Sequence, residues 1–312
     1  MGLYPRLIKI MVRLALLGLC WTEAGAQALR PIPPAQSLDM RLVKLGRMLF
    51  HDPRLSRYQD MSCAGCHPIG RGGADGVALS RGTGGAITTY NTPTIYNAAL
   101  VLKYGWEGVA TTLSEATQRA LESPKAMDMK LAQAFERLRK DEELQRKFGP
   151  LQEATILQAL IAYMEYLVPR TSAFDRFLQG DTTALSAEQQ QGYQRFIELG
   201  CASCHQGVGI GGNMFVRFGV MVDLFRDQPE LHRGRLNATE QPSDRHVFRV
   251  PSLRNVALTA PYFHDGRAAD LASAVRTMGY VQLGMQLTET DLGQLLSFLD
   301  SLTGQLPDEV LP

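Results

Sequence analysis

Cys63-Ala-Gly-Cys66-His67 recurs later in the chain as Cys201-Ala-Ser-Cys204-His205, and the rest of the sequence is arranged about the pair. C-x-x-C-H is the attachment pattern of c-type haem. Two thiols at this spacing reach the two vinyl groups on one edge of a porphyrin. The histidine that follows is carried beneath the ring, where its imidazole binds the iron on the proximal side. A lone C-x-x-C also serves redox exchange or half a zinc tetrahedron, but no further cysteine pair is present here to complete one. Two complete copies point to two covalently attached haems.

The chain has 312 residues, 45% apolar and 20% charged, which is ordinary for a globular protein and enough for about two cores. A formal net charge of +1 gives no sign of a nucleic-acid or membrane-surface partner. Arg6, Lys9 and Arg13 precede an apolar run from Leu14 to Trp21, followed by Ala24-Gly25-Ala26. This predicts a secretory signal over residues 1–26, cut after Ala26. The run is too short to span a bilayer, and no later segment does better. Cys20 falls inside the signal, so four of the five cysteines remain after cleavage, and two haems would use all four. The expected compartment is a bacterial periplasm.

Past a proline-bearing lead-in, Ser37 is placed to cap a helix running to about Phe50, with Leu42, Leu45, Met48 and Leu49 at helical spacing. Gly70 to Gly85 is glycine-rich, as backbone folded closely on a flat cofactor requires. Thr112-Leu-Ser-Glu115 is a capping box opening a helix that Pro124 stops. Helices are expected at about 130–147 and 151–168, then a boundary over Pro169 to Asp181, then a helix from Ser186 running to Cys201. Pro93-Thr-Ile-Tyr-Asn97-Ala-Ala-Leu100 and Tyr104-Gly-Trp106-Glu-Gly108 return as Pro251-Ser-Leu-Arg-Asn255-Val-Ala-Leu258 and Tyr262-Phe-His264-Asp-Gly266, at a constant offset of 158. Such self-similarity means one unit used twice. The division is 27–170 and 171–312, each half a small helical domain around a haem.

The halves differ where the chemistry would lie. In the ungapped register Met278 pairs with Ala120. A methionine about 70 residues past the haem motif, near a helix end, is where a class I cytochrome c places its second axial ligand, with Met214 and Met285 as competitors. The first half offers Met127, Met129 or His51 as a sixth ligand; otherwise its iron keeps an open face that binds a small molecule such as peroxide. Trp106 is the sole tryptophan after signal removal and could stand between the haems or simply pack in the core. His264 is expected as a packed histidine near the second haem, His232 and His246 as surface groups. Arg249 and Arg254 are expected as partners of haem propionates or as surface ion pairs.

These features resemble the bacterial di-haem cytochrome c peroxidases, a family that also includes the MauG-type enzymes. The likeness rests on Leu45-Gly-Arg-Met-Leu-Phe50, Asp52-Pro-Arg-Leu-Ser56, both haem motifs, Gly72-Gly-Ala-Asp-Gly76, Asn91-Thr-Pro93, Ser172-Ala-Phe-Asp-Arg176, the segment Pro251 to His264, and Thr277-Met-Gly279. It implies an all-α fold of two cytochrome-c-like domains, with a peroxidatic haem on His67 and an electron-transfer haem on His205 and Met278. It also implies Trp106 as the inter-haem aromatic, an interface calcium on Asn91, Thr259 and Pro261, and a homodimer. MauG-type enzymes carry tyrosine at the position of Met278. Three departures concern the active site. Thr83 stands where many members have a histidine that blocks the peroxidatic iron, and Ala116 and Ala126 replace the distal glutamine and glutamate. Splitting O–O needs a base that returns its proton, worth about 10²–10⁴ in rate, and alanine supplies none. Glu115, Glu122 and Asp128 are the candidate replacements, with Arg119 for the leaving oxygen, although all four also read as solvated helix charges.

The leading expectation is a periplasmic oxidoreductase reducing hydrogen peroxide with electrons from a small cytochrome c or cupredoxin. A di-haem electron carrier without catalysis and a MauG-like oxidase of a partner protein are the alternatives.

Overall fold

The structure, a computed structural model, describes residues 28–306. The secretory signal and its cleavage site lie outside the described residues. In chain order the helices are α1 (Met40–Phe50), α2 (Cys63–Cys66), α3 (Leu113–Glu122), α4 (Leu131–Leu138), α5 (Glu142–Phe148), α6 (Glu153–Tyr166), α7 (Ala173–Leu178), α8 (Ala187–Glu198), α9 (Leu236–Thr239), α10 (Leu271–Leu283) and α11 (Glu289–Asp300). One antiparallel pair, β1 (Phe215–Arg217) with β2 (Val247–Arg249), interrupts the second half. The all-α expectation is thereby corrected to mostly helical with one short sheet. None of the described helices is long and apolar enough to cross a membrane.

Capping chemistry moves several boundaries from where the sequence placed them. Asp39, not Ser37, caps α1, because its carboxylate accepts from the N–H groups of Arg41 and Leu42. The helix expected over about 130–147 is broken in two: Asp141 accepts from Glu143 and Leu144 and starts α5 afresh. The capping box at Thr112 is half made. Thr112 accepts from the Glu115 N–H, but Glu115 reaches the N–H of Thr111 instead of returning to Thr112. α8 ends at Glu198, and Gly200 at φ +82° turns the chain into Cys201.

Each half is built on two long helices that cross at a glycine. α1 crosses α6, and α8 crosses α11. A Cβ on Gly46 would stand 1.9 Å from the Ala159 carbonyl oxygen, and one on Gly192 would stand 1.9 Å from that of Gln294. Backbone approach this close lets Leu45, Leu49, Leu160 and Tyr163 close the first core, and Phe196, Leu295, Phe298 and Leu299 the second. The sequence echo has a geometric counterpart. Asn97 Nδ2 donates to Asn255 Oδ1 at 3.1 Å, and these residues are 158 positions apart. Equivalent residues of the two repeats therefore meet one another through this buried contact, although not reciprocally, since Asn255 Nδ2 donates to Gly304 O at 2.8 Å. Both asparagines sit in the left-handed region, at φ +60° and +59°. The tyrosine–carbonyl bonds repeat too: Tyr104 Oη to Ala98 O at 3.0 Å, and Tyr262 Oη to Val256 O at 2.9 Å.

The chain ends cross over between the halves. The lead-in counted with the first half packs in the second core, where Leu29 is fully buried and the Ile32 N–H donates to Asp175 Oδ1 at 2.8 Å. At the far end Leu306 joins the first core. Asp175 also pairs with Arg254 at 2.7 Å, with the two side chains 0% and 1% exposed. Arg254 donates further to the carbonyls of Val208 and Arg30. Arg254 is therefore neither the propionate partner nor the surface ion pair the sequence offered, but the fastening of the lead-in to the second core.

Candidate haem centres

Cys201 and Cys204 lie on one turn after α8, and His205 follows them into a cavity of about 490 Å³. Met278 of α10, Trp106 and Arg249 line the same cavity. Met214 and Met285 do not line it; Met285 is exposed, and the Gln206 amide lies 3.9 Å from the Met214 sulfur. Burial pushes the His205 imidazole down to about 4, so it is neutral at physiological pH. Its Nδ1 is buried with no hydrogen-bond partner among the described residues. Burial also raises the Cys201 thiol to about 11.

Arg249 makes the strongest case for what fills this space. It is 6% exposed and donates from Nε to Gly105 O at 3.0 Å, and no carboxylate among the described residues lies within ion-pair distance. Burial lowers it to about 10. A buried guanidinium without an anion is costly unless a ligand brings the charge. A haem propionate is such a charge. Paired thiols, a neutral imidazole, a thioether and an unpaired buried cation around one cavity fit haem c.

In the first half, α2 presents Cys63 and Cys66, and His67 ends it. His67 Nδ1 is 3.0 Å from Gly73 O. A carbonyl only accepts, so Nδ1 carries the proton and Nε2 keeps the lone pair a metal needs. Gly73, at φ +72°, is packed against Tyr96 and Ile95 so closely that a Cβ would stand 2.9 Å from the Tyr96 ring. Burial lifts the Cys63 thiol to about 12. Met127 and Met129 are buried in the first hydrophobic core, and His51 is exposed with Nδ1 2.9 Å from Arg47 O. Ala120, the counterpart of Met278, is exposed, while Ala116 and Ala126 are half-buried.

The candidate acid–base groups on and after α3 have other partners. Glu115 accepts from the Thr111 N–H and pairs with Arg119 at 3.1 Å, and these two contacts, in that order, hold its carboxyl below the usual range. Glu122 is exposed and accepts from Gln118 at 2.9 Å. Asp128 pairs with Arg57 at 2.7 Å. Thr83 is buried; its hydroxyl donates to Asp60 Oδ1 at 2.5 Å, and its N–H donates to Ala126 O at 2.7 Å. The Gly84 N–H donates to the other Asp60 oxygen at 2.8 Å. Asp60 carries no motif, and the sequence reading missed it.

Trp106 Nε1 donates to Asn91 O at 2.8 Å. Asn91 Nδ2 donates to Val77 O at 2.9 Å, which turns Oδ1 away from those carbonyls. Asn91, Thr259 and Pro261 all line the cavity of the second half. His264 is buried and lines it too, as expected. His246, expected at the surface, is 2% exposed because the loop before β2 folds it under Phe225. His232 is half-buried and stacked on Phe225 at 4.3 Å.

A mostly helical chain with two C-x-x-C-H centres, one in each half, defines a di-haem c-type protein. The family model "Di-haem cytochrome c peroxidase" matches residues 40–183. The chain is 36% identical to the cytochrome c551 peroxidase of Nitrosomonas europaea, over 95% of this chain and 91% of that one. It is 37% identical to the cytochrome c551 peroxidase of Pseudomonas aeruginosa, over 91% and 87%. Its fold is similar to the crystal structure of a MauG-like protein associated with microbial copper homeostasis, at TM-score 0.79 and 27% identity, covering 94% of this chain and 98% of that one. The chain belongs to the di-haem cytochrome c peroxidase family, and its function is that of a peroxidase-like enzyme.

Proposed function

We infer that the protein is a periplasmic di-haem peroxidase that reduces hydrogen peroxide with electrons from a small cytochrome c or cupredoxin, acting as a homodimer. The asymmetry of the halves carries this reading. His205 and Met278 share one cavity, whereas the counterpart of Met278 in the first half is an exposed alanine. When bound, haem c supplies an iron that exchanges single electrons and, where one face is free, binds a small ligand.

The side chains would divide the work as follows. Cys63 with Cys66, and Cys201 with Cys204, tether the two groups as thioethers. His67 and His205 would hold them through Nε2, and Met278 would be a further ligand in the second half. Arg249 neutralises a propionate. Trp106 stands in the wall of the second cavity on a segment contributed by the first half, which suits an aromatic bridge for electrons. Its indole is held by the Asn91 carbonyl, and a calcium on the Asn91 side chain and the carbonyls of Thr259 and Pro261 would fix that segment. Amide and carbonyl oxygens are the donors calcium prefers.

Proton handling falls to Glu122 or Glu115 in place of the missing distal pair. Glu122 is the freer of the two, since Glu115 is held anionic by Thr111 and Arg119. A second reading, withdrawal of electrons from a partner protein, draws on the likeness to the MauG-like structure; methionine at position 278 argues for peroxide reduction instead. The test is an EPR spectrum of the oxidised protein together with peroxide-driven oxidation of reduced cytochrome c. One high-spin and one low-spin haem with steady turnover is expected. Two low-spin haems without turnover would overturn the reading.

A further inference from the structure

We propose that His232, His264 and Asp265 form a binding site for a first-row divalent cation of the zinc type, at the edge of the second-half cavity that His264 also lines and with donor atoms used by neither haem centre nor the calcium position above. His232 Nδ1 and His264 Nε2 face each other at 2.9 Å. Asp265 Oδ2 lies 3.9 Å from the same His232 nitrogen. The three donor atoms all fall within 4.8 Å of one another. Metal–nitrogen bonds of about 2.0–2.1 Å place two ligating nitrogens about 2.9 Å apart at a right angle and about 3.4 Å apart at the tetrahedral angle. The pair stands at the right-angle value, so a cation that replaces the single proton the two rings share would spread them by about 0.5 Å for tetrahedral geometry and draw Asp265 Oδ2 inward from 3.9 Å.

Both rings are held for this. His264 stacks on Phe248 at 4.1 Å, and His232 stacks on Phe225 at 4.3 Å. Two imidazoles and one carboxylate select zinc, copper or nickel over calcium or magnesium, which prefer all-oxygen shells. Three protein donors leave a fourth position for water. Arg267 sets the affinity. Its guanidinium pairs with Asp265 at 2.6 Å and stands 3.3 Å from His232 Nε2, so a cation must compete with it for the carboxylate. The site also abuts the junction between the halves, because the His264 carbonyl accepts from the Asn91 N–H at 2.7 Å and the His264 ring meets Trp106 edge-on at 6.2 Å.

The test is equilibrium dialysis of the haem-loaded full chain against Zn²⁺ with calcium in excess, bound zinc being read by mass spectrometry. One zinc per chain is expected for the wild type. His232→Ala and Asp265→Asn should each bind at least about tenfold more weakly, and Arg267→Ala should bind more tightly. Unaltered haem spectra in all three would show that the variants are folded. No zinc on the wild type, or equal zinc on wild type and His232→Ala, would overturn the proposal.

Discussion

Arg249 and Arg254 are close neighbours in the sequence and both are buried, yet they answer to different charges. Arg254 has Asp175 within the protein, whereas Arg249 has only a carbonyl and faces the cavity. Sequence alone could not separate them, since one arginine lies just before the repeated segment and the other within it. The same holds for methionine. Met214, Met278 and Met285 all follow the second haem motif, and only the turn of α10 brings Met278 into the wall shared with His205. Met278→Ala should lower the reduction potential of one haem by on the order of 0.1 V or more, a fraction of the roughly 0.8 V that axial ligands command. A redox titration of the variant with both midpoints unchanged would remove Met278 from the ligand set.

The caps of α3 and α8, Thr112 and Ser186, were readable in the sequence, but the loop over Gly82–Gly85 was not, because its conformation is set by a distant aspartate. Asp60 receives the Thr83 hydroxyl and the Gly84 N–H, and these bonds, in that order, hold its carboxyl below the ordinary carboxylate range. The folded state thus binds the Asp60 proton less readily than the unfolded chain does. The contribution of this contact is complete above the ordinary carboxylate value and is lost as pH falls through the lowered one. The loop should stay docked down to about pH 4 and loosen only in stronger acid. In Asp60→Ala it should be loose already at neutral pH, read as faster proteolytic cleavage near Gly84 and a shifted optical band of one haem. Equal cleavage of variant and wild type at pH 7 would show that Asp60 does not hold the loop. Thr83 thereby has a structural role of its own: its hydroxyl anchors the loop to Asp60.

Across the molecule the two halves are joined by a buried asparagine pair and by the exchange of chain ends. The Asp175–Arg254 pair carries much of that exchange, since it bonds the lead-in to the second core. Arg254→Ala leaves Asp175 buried without its counter-charge, which should cost about 3–5 kcal/mol and lower the melting temperature of the haem-loaded protein by roughly 5–10 °C. Calorimetry checks this, and a shift of a degree or two would mean that water reaches Asp175. The haem motifs and the internal repeat were evident from the order of residues, because thiol and imidazole spacing along a short covalent segment fixes what that segment can bind. The pairing of Arg254 with Asp175, 79 positions away, the facing of His232 on His264, and the docking of Thr83 on Asp60 were not evident. Such contacts come into being only when crossing helices and exchanged chain ends carry remote side chains into a common low-dielectric interior, and no spacing along the chain encodes that meeting.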